Sequence, residues 1–486
     1  MSATSKHTKL GAWMRGEDDP ARLMRRIFWA GFLVRVLYMT LAHTYRLRVY
    51  DDHFEFGWEM GRIARALATG YGYANPFNGH TGPTAWTPPL YPLLIAGVFK
   101  VFGVYTQKSA WVMLTVNSVF SAATSLAIYA IAIRCFSAAP QAVARHTASA
   151  NPDARSIALW SAWLWALYPA AMQYAVRWVW DMALTAFLFS FMLVIALRLR
   201  GVGDDLPQPT IGVSRGEVLR ATSETTAPRT MARRTTDWLL FGLLWGLIAL
   251  SNSSLLTFLP ACGLWVLWPA CRTRRAPGPA LRGATLSAIC FLAVVSPWVV
   301  RNFTAFHAFV PMRSNFGAEL YEATVFSNDG FPQRATLELS ETAPELQRYA
   351  RMGEIAYSRQ QGEIARGRIR AHPRVFAKNA LRRVYFFWIG VPHPADRGIW
   401  IEAARGLNFS FLSIAGVLGL ALALRRGIAG AWLFFWAVAS CPFLYYFVTV
   451  QARFRHPLEP VLCILSVYLF QSADRTHAWS WRLSRD

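Results

Sequence analysis

The chain has 486 residues, 54% of them hydrophobic and only 16% charged, with 21 Trp, 32 Phe and 17 Tyr. A soluble globular protein carries about a quarter charged residues, so this composition excludes a soluble enzyme, a disordered chain and a small disulfide-stapled secreted domain. Fifty basic against 27 acidic residues give a formal charge of +23, which suits a polytopic membrane protein, where basic residues set orientation and meet anionic lipid.

Crossing a bilayer as helix takes roughly 20 apolar residues. In chain order such runs lie at 27–42, 111–134, 156–174, 182–197, 238–250, 255–268, 281–300, 407–424, 429–450 and 458–471, several of them short at these borders. Basic clusters fall between alternate runs: Arg22, Arg25 and Arg26; Arg145 and Arg155; Arg229, Arg233 and Arg234; Arg272, Arg274 and Arg275; Arg425 and Arg426; then Arg475, Arg482 and Arg485. With both termini cytoplasmic, every cluster lies inside, as positive charge demands. Nucleic acid is then not needed to explain the charge.

This parity divides the chain into a cytoplasmic N-terminus (1–26), a membrane bundle (27–300) with a first outer loop (43–109), an outer domain (301–405), C-terminal membrane helices (406–472) and a cytoplasmic tail (473–486). The stretch 88–102, PPLYPLLIAGVFKVF, is apolar but Pro-rich and carries Lys100. A crossing there would put the Arg-rich segment 198–234 outside, so an interfacial or re-entrant helix is expected. The inner stretches 138–153 and 207–236, rich in Ser, Thr, Ala and Pro, are expected to be loops. The six cysteines form neither a disulfide framework nor a zinc spacing. The outer domain is expected to hold two helices, 343–371 and 373–388, separated at His372 and Pro373.

Before residue 300 the outer side holds only Asp51, Asp52, Glu55, Glu59 and Asp181 as acids. The stretch 52–70 predicts one helix, with Asp52 as N-cap, Glu55 completing a capping box and Gly70 at the C-terminal end. Glu59 has no such role, and an ion pair with Arg62 at i,i+3 is its ordinary explanation. Asp181 opens the run MALTAFLFSFMLVIAL, where it fits either an N-cap or an acid facing a cavity. Near the other end, Arg453, Arg455, His456 and Glu459 crowd the outer end of the last span, a cationic group suited either to a lipid phosphate or to pairing with Glu459 and headgroups. Arg35 lies too deep in the first span to reach water and needs a partner in the bundle.

The acid-bearing loop ending in IARALATGYGY, the element TGPTAWTPPLYPLLIAGVFKVFG, the string SPWVVRNF and the terminal ARFRHPLEPVL together resemble the GT-C membrane glycosyltransferases that use polyprenyl-phosphate sugars, in the branch of the protein O-mannosyltransferases and the lipid A aminoarabinose transferase. The resemblance implies an α-helical polytopic membrane protein, a GT-C-like bundle of about 10 to 11 transmembrane helices with interfacial helices in the first outer loop and a small helical outer domain. It implies transfer of a sugar from a polyprenyl-phosphate donor to a hydroxyl of a protein, lipid or glycan acceptor, at the outer face of a plasma membrane of the bacterial inner-membrane kind. Its catalytic carboxylate falls among Glu59, Asp52 and Glu55, a second acid at Asp181, and the carrier phosphate on Arg453 with Arg455 or His456. No cofactor is required by the sequence, and a divalent metal is compatible with it. A secondary transporter or lipid flippase is the rival reading; such proteins place their charges near the midplane and often show repeated halves, neither of which is visible here.

Overall fold

A computed structural model describes residues 20–137, 153–204, 226–272, 278–326, 344–391 and 398–473. Among them the regular structure is helical, apart from a single bridge between Ala74 and Pro83. Each of the ten apolar runs contains helix. Four helices are long and apolar enough to cross a membrane on length and composition: Gln107–Ser137, Met182–Leu199, Gly278–Phe306 and Ile399–Arg425. The loop expected at 138–153 lies outside the described residues except for Asp153, and that expected at 207–236 does so up to 225, beyond which 226–236 is helix instead of loop; of the inner basic residues, Arg145, Arg274, Arg275, Arg475, Arg482 and Arg485 lie outside as well.

The chain begins with α1 (Pro20–Leu41). The first outer loop carries α2 (Glu59–Ala68) and α3 (Leu90–Phe102), which pack on each other. At 13 residues α3 is shorter than a bilayer crossing. Next come α4 (Gln107–Ser137), α5 (Ala154–Leu167), α6 (Pro169–Val176) and α7 (Met182–Leu199). The run expected at 156–174 is thus two helices. Pro169 has no N–H for the Trp165 carbonyl and forces Tyr168 into extended backbone (ψ 122°). Arg35 supplies what the break leaves wanting. Its guanidinium donates to the carbonyls of Ala166 (2.6 Å) and Trp165 (3.3 Å), to Gly31 O (2.9 Å) and to Ser121 Oγ (3.1 Å). The deep arginine of the first span therefore has bundle partners, and the break lets the chain surface at 177–181 before α7 begins.

After α8 (Thr226–Ser251), a 3₁₀ turn Ser253–Phe258, α9 (Leu259–Arg272) and α10 (Gly278–Phe306), the chain enters the segment 301–405 that is expected to form the outer domain. This holds α11 (Phe316–Tyr321), α12 (Pro344–Met352), α13 (Glu354–Ala371) and α14 (Pro373–Ile389). The single helix expected over 343–371 is divided because Gly353 takes φ 77°, a left-handed value that ends α12. The break at His372 and Pro373 is where it was expected. The bundle closes with α15 (Ile399–Arg425), α16 (Ala431–Ser440), a 3₁₀ turn Ala452–Leu458 and α17 (Glu459–Gln471), with α15 and α17 packed together.

The helix expected over 52–70 is a larger departure. Asp52 and His53 take positive φ (47° and 63°), as do Gly57 and Trp58 (84° and 47°), so the expected helix is broken into one turn at Tyr50–His53, a 3₁₀ turn at Phe54–Phe56 and α2 from Glu59. The capping box is absent: the Glu55 carboxylate accepts from the Arg48 N–H at 2.8 Å, and Asp52 binds arginines instead. Gly70 does end the helix, at φ 91°, with Tyr71 N–H donating to Ala66 O (2.9 Å).

Glu354 joins the outer domain to the first outer loop. Its Oε1 accepts from the Ala85 N–H (2.6 Å) and Ser314 Oγ (2.5 Å), and its Oε2 from Thr84 Oγ1 (2.5 Å) and Tyr349 OH (2.7 Å). Arg301 donates to the carbonyls of Thr84 (2.6 Å) and Tyr73 (2.5 Å) beside it. Hydrogen bonds to a charged group contribute about 1.5–3 kcal/mol each, and a buried N–H left without an acceptor costs about 1–3 kcal/mol. Glu354→Ala is therefore expected to destabilise the outer domain by about 2–4 kcal/mol, read as faster amide exchange across 344–371 and lower resistance to protease, while exchange in α4 and α7 stays unchanged.

Candidate active site

Two short segments meet at the mouth of the bundle. The turn 54–58 lies against 178–181: the Val179 N–H donates to Glu55 O (3.1 Å), the rings of Phe54 and Trp180 meet edge-on at 5.8 Å, and Gly57 is so close that a Cβ there would touch the Val179 carbonyl. This contact brings the start of α2, and Glu59 with it, beside the start of α7, and Asp181 with it. Both acids line one cavity of about 360 Å³, together with Arg313, Glu319 and Arg453, a size within the usual range for small-molecule sites. The remaining wall includes Asn252, Tyr445 and Thr449, from the ends of other helices.

Glu59 does not pair with Arg62, which instead donates its Nε to Asp52 at 3.0 Å. Burial raises the Glu59 carboxyl above its ordinary range; a backbone hydrogen bond and the charge of Arg453 oppose that rise. Asp181 is not a side-chain N-cap, since its carboxylate accepts from no backbone N–H of α7. Instead its Oδ2 accepts from Thr185 Oγ1 at 3.3 Å, and the Thr185 hydroxyl lies 3.1 Å from that of Ser251. Burial raises this carboxyl too, with Arg453 and Arg313 opposing. Burial lowers Arg453 to about 10, so it stays charged at neutral pH. Its guanidinium lies 3.4 Å from the centre of the Trp180 ring, a stacked cation–π contact. Among the described residues no protein group accepts a hydrogen bond from it, which leaves its N–H fork to the cavity.

The other site residues expected from sequence lie elsewhere. Asp52 is clasped by Arg62 and Arg65 (3.0 and 3.1 Å); burial works against its charge, but Arg65 and Arg62 prevail and hold its carboxyl low. Glu55 is tied to Arg48. Neither lines the cavity. Arg455 and His456 are fully buried and turn into the bundle, contrary to the phosphate role expected of them. Glu459 accepts from Arg455 Nη2 (2.9 Å) and pairs with His456 Nδ1 (2.7 Å), Arg455 also donates to Phe409 O (2.8 Å) and to Ser413 Oγ, and the His456 ring stacks at 5.3 Å on Trp165. The charge of Arg455 is thus answered within the protein. Of the expected cations only Arg453 faces the cavity.

Two residues of this wall were not singled out in the sequence. Arg313 follows α10 by a few residues, and its Nε donates to Trp86 O at 3.0 Å. Glu319 accepts from Asn315 Nδ2 (3.0 Å) and Thr449 Oγ1 (2.8 Å), tying α11 to the chain before Arg453. Both lie in the string PMRSNFGAEL that follows SPWVVRNF, where the exit from a span beside the first outer loop was the available signal. Among the described residues no three His, Cys, Asp or Glu side chains converge as a metal ion would require. The cavity's acids share it with two arginines, a donor set that does not fit a resident divalent cation.

No protein-family model matches the chain, and no curated protein matches it. Solved structures do. The oligosaccharyltransferase AglB from Archaeoglobus fulgidus, in complex with an inhibitory peptide and a dolichol-phosphate, is 13% identical, with a TM-score of 0.48 over 91% of this chain and 50% of its own. The same enzyme in complex with Zn and sulfate gives 13% and 0.45, over 90% and 48%. ArnT from Cupriavidus metallidurans, bound to undecaprenyl phosphate, is 11% identical, with a TM-score of 0.33 over 94% of this chain and 78% of its own. The chain thus spans about half the length of the oligosaccharyltransferases it matches. At these identities no residue of theirs is carried onto this chain.

The opposed settings of the two arginines predict opposite consequences. Arg455→Gln strands Glu459 in the bundle and is expected to cost about 3–5 kcal/mol. Arg453→Gln is expected to cost clearly less than that, because no carboxylate hydrogen-bonds it and it meets Glu59, Asp181 and Glu319 only as charges across the cavity. Thermal unfolding of the purified variants in detergent, at equal protein concentration, measures both.

Proposed function

We propose that this chain is a membrane glycosyltransferase that moves a sugar from a polyprenyl-phosphate carrier to an acceptor hydroxyl in the cavity of Glu59, Asp181 and Arg453. The observation that carries the reading is this convergence of a raised carboxylate and an unpaired arginine, drawn from distant parts of the chain. The carrier is of the chemical kind held by the matched structures, one with dolichol-phosphate and one with undecaprenyl phosphate. The cavity opens on the outer side, with both chain termini in the cytoplasm.

The step assigned to the site is a single displacement. The acceptor oxygen forms a bond to the anomeric carbon as the carbon–oxygen bond to the carrier phosphate breaks; the electron pair leaves with the phosphate, and the acceptor proton passes to Glu59. Attack from the face opposite the phosphate inverts the anomeric centre. A carboxylate whose pKa is raised is the stronger base, provided it is ionised at working pH. Arg453 receives the phosphate through its planar fork, where negative charge grows as the bond breaks. Arg313 adds a second positive charge from the outer-domain side. Asp181, held by Thr185, orients the acceptor hydroxyl or the sugar, and holding the reactants in line contributes a large part of the rate. No step runs through a metal.

Glu59→Gln keeps the shape of the side chain and removes the proton acceptor. Transfer in membranes at equal protein level is expected to fall by 10² to 10⁴, with Tm little changed. Asp52→Asn, which loosens Arg62 and Arg65, is expected to lower Tm and leave turnover per folded molecule within a few-fold. Near-normal turnover in Glu59→Gln, with abolished turnover in folded Asp52→Asn, would move the base to Asp52.

The pH profile tests the same assignment. A base must be unprotonated, so transfer is lost as pH falls through the Glu59 pKa, which lies above the ordinary Glu range. Removing Arg453 removes a charge that holds that pKa down. The acid limb of the residual activity of Arg453→Gln is therefore expected at higher pH than in the wild type. A limb that stays in place would separate Arg453 from the base.

A further inference from the structure

A second cleft, of about 250 Å³, adjoins the first cavity and shares Arg313 and Phe316 with it. Its far wall is α13, which contributes Arg359 and Arg366, seven residues apart and so on one helix face. None of the residues lining this cleft is acidic. Among the described residues Arg359 and Arg366 make no ion pair and no hydrogen bond through their guanidinium groups, and Arg313 uses only its Nε, on the Trp86 carbonyl. Arg313, Arg359 and Arg366 thus line one cleft whose wall carries no acid, with Arg359 and Arg366 at its exposed rim.

The backbone is shaped to hold them there. Where α11 meets α13, Gly317 lies so close that a Cβ would fall into the Ser358 carbonyl, and a Cβ on Gly362 would stand 3.2 Å from the Gly317 Cα and 3.6 Å from Arg366 Nη1. Two residues without side chains thus bring the basic face of α13 against the chain bearing Arg313. Ser314, beside that arginine, and Ser358 are fixed in turn: Ser314 Oγ donates to Glu354, and Ser358 Oγ to Ser314 O at 2.6 Å. Phe309 and Phe316 stand exposed among the lining residues, with 76% and 56% of their surfaces open, and offer flat apolar faces beside the charges.

We propose that this cleft is the acceptor subsite, and that the acceptor carries an anionic group of phosphate type close to the hydroxyl that receives the sugar. The inference rests on the glycosyltransferase reading and extends it by naming the acceptor's charge. Arg313, common to both spaces, places the anion of the acceptor on one side and the reacting hydroxyl on the other. Phosphate suits the three arginines because each can present a fork of two N–H groups to it.

The test uses the purified full chain in phosphatidylcholine nanodiscs, with inorganic phosphate as the probe and calorimetry as the readout. In the Arg453→Gln background, which removes the phosphate site of the first cavity, saturable binding is expected and is weakened at least about tenfold by adding Arg359→Gln/Arg366→Gln, as for loss of charge-assisted hydrogen bonds. Partial recovery in Arg359→Lys/Arg366→Lys, with unchanged undecaprenyl phosphate binding in all variants of α13, shows that the fold and the donor site are intact. Binding that survives the double Gln change in that background, or that is lost with Arg453 alone, places the anion outside this cleft and overturns the proposal. Phosphate binding that disappears when the discs are made of phosphatidylglycerol assigns the cleft to a bilayer headgroup and overturns it as well. In membranes, with an envelope extract as acceptor source, the double variant is expected to raise the acceptor KM and leave the donor KM unchanged. Normal transfer with an unchanged acceptor KM refutes the acceptor proposal alone. Absence of transfer by the wild type from any polyprenyl-phosphate sugar refutes the glycosyltransferase reading, even where the cleft still binds phosphate.

Discussion

The site depends on the docking of the turn 54–58 onto the segment 178–181. Before this contact forms, Glu59 belongs to an interfacial helix following the first span and Asp181 to the entry of another, more than a hundred residues later. One backbone hydrogen bond and a glycine fitted under a carbonyl join them. The left-handed residues 52, 53, 57 and 58 are the cost of the fit, since an uninterrupted helix would carry Glu59 on a straight rod away from the bundle. Backbone held in uncommon regions at functional sites is expected where the surroundings over-determine it. Here the overlap of Phe54 with Trp180 and the clasp of Asp52 by two arginines do so.

The breaks in the spans serve the same end. Pro169 divides a helix, Arg35 satisfies the carbonyls that the break strands, and the short helix that follows brings 177–181 out beside the first outer loop. On the last helix the buried group of Arg455, His456 and Glu459 has a comparable role. A buried ion pair contributes little net stability, because desolvation takes back most of the attraction, but it fixes direction. With Arg455 and His456 anchored to Glu459 in the bundle, the 3₁₀ turn Ala452–Leu458 leaves Arg453 on its other side, against Trp180 and toward the cavity.

The helical architecture, the broad placement of the apolar runs and the convergence of acids with basic residues near the chain's end were legible, because they follow from composition, periodicity and charge. Glu59, Asp181 and Arg453 were within reach for the same reason: each is a charge without a sufficient local explanation. What failed was local geometry. Asp52 and Glu55 have the spacing of a capping box, but positive φ values that no sequence pattern announces unwind that turn. Arg455 and His456 look like their neighbour Arg453, and only the register of a 3₁₀ turn decides which of three adjacent cations faces in. Arg313, Glu319 and Glu354 were hidden because their importance comes from contacts between segments far apart in sequence.

The outer domain is bound to the site by the same chemistry that forms it. Glu354 accepts from the loop that carries Thr84 and Ala85 and from Ser314, whose neighbour Arg313 stands at the cavity. Glu319, in the first turn of α11, reaches Thr449 and so the approach to Arg453. Arg313 and Arg453 are therefore placed beside carboxylates, Glu354 and Glu319, that each accept two or more hydrogen bonds. In such surroundings a charge is stabilised by fixed dipoles instead of mobile solvent, and those dipoles need no reorganisation when the phosphate departs. The first loop, the bundle mouth and the domain 301–405 thus meet around one cavity, although each is built from a different part of the chain.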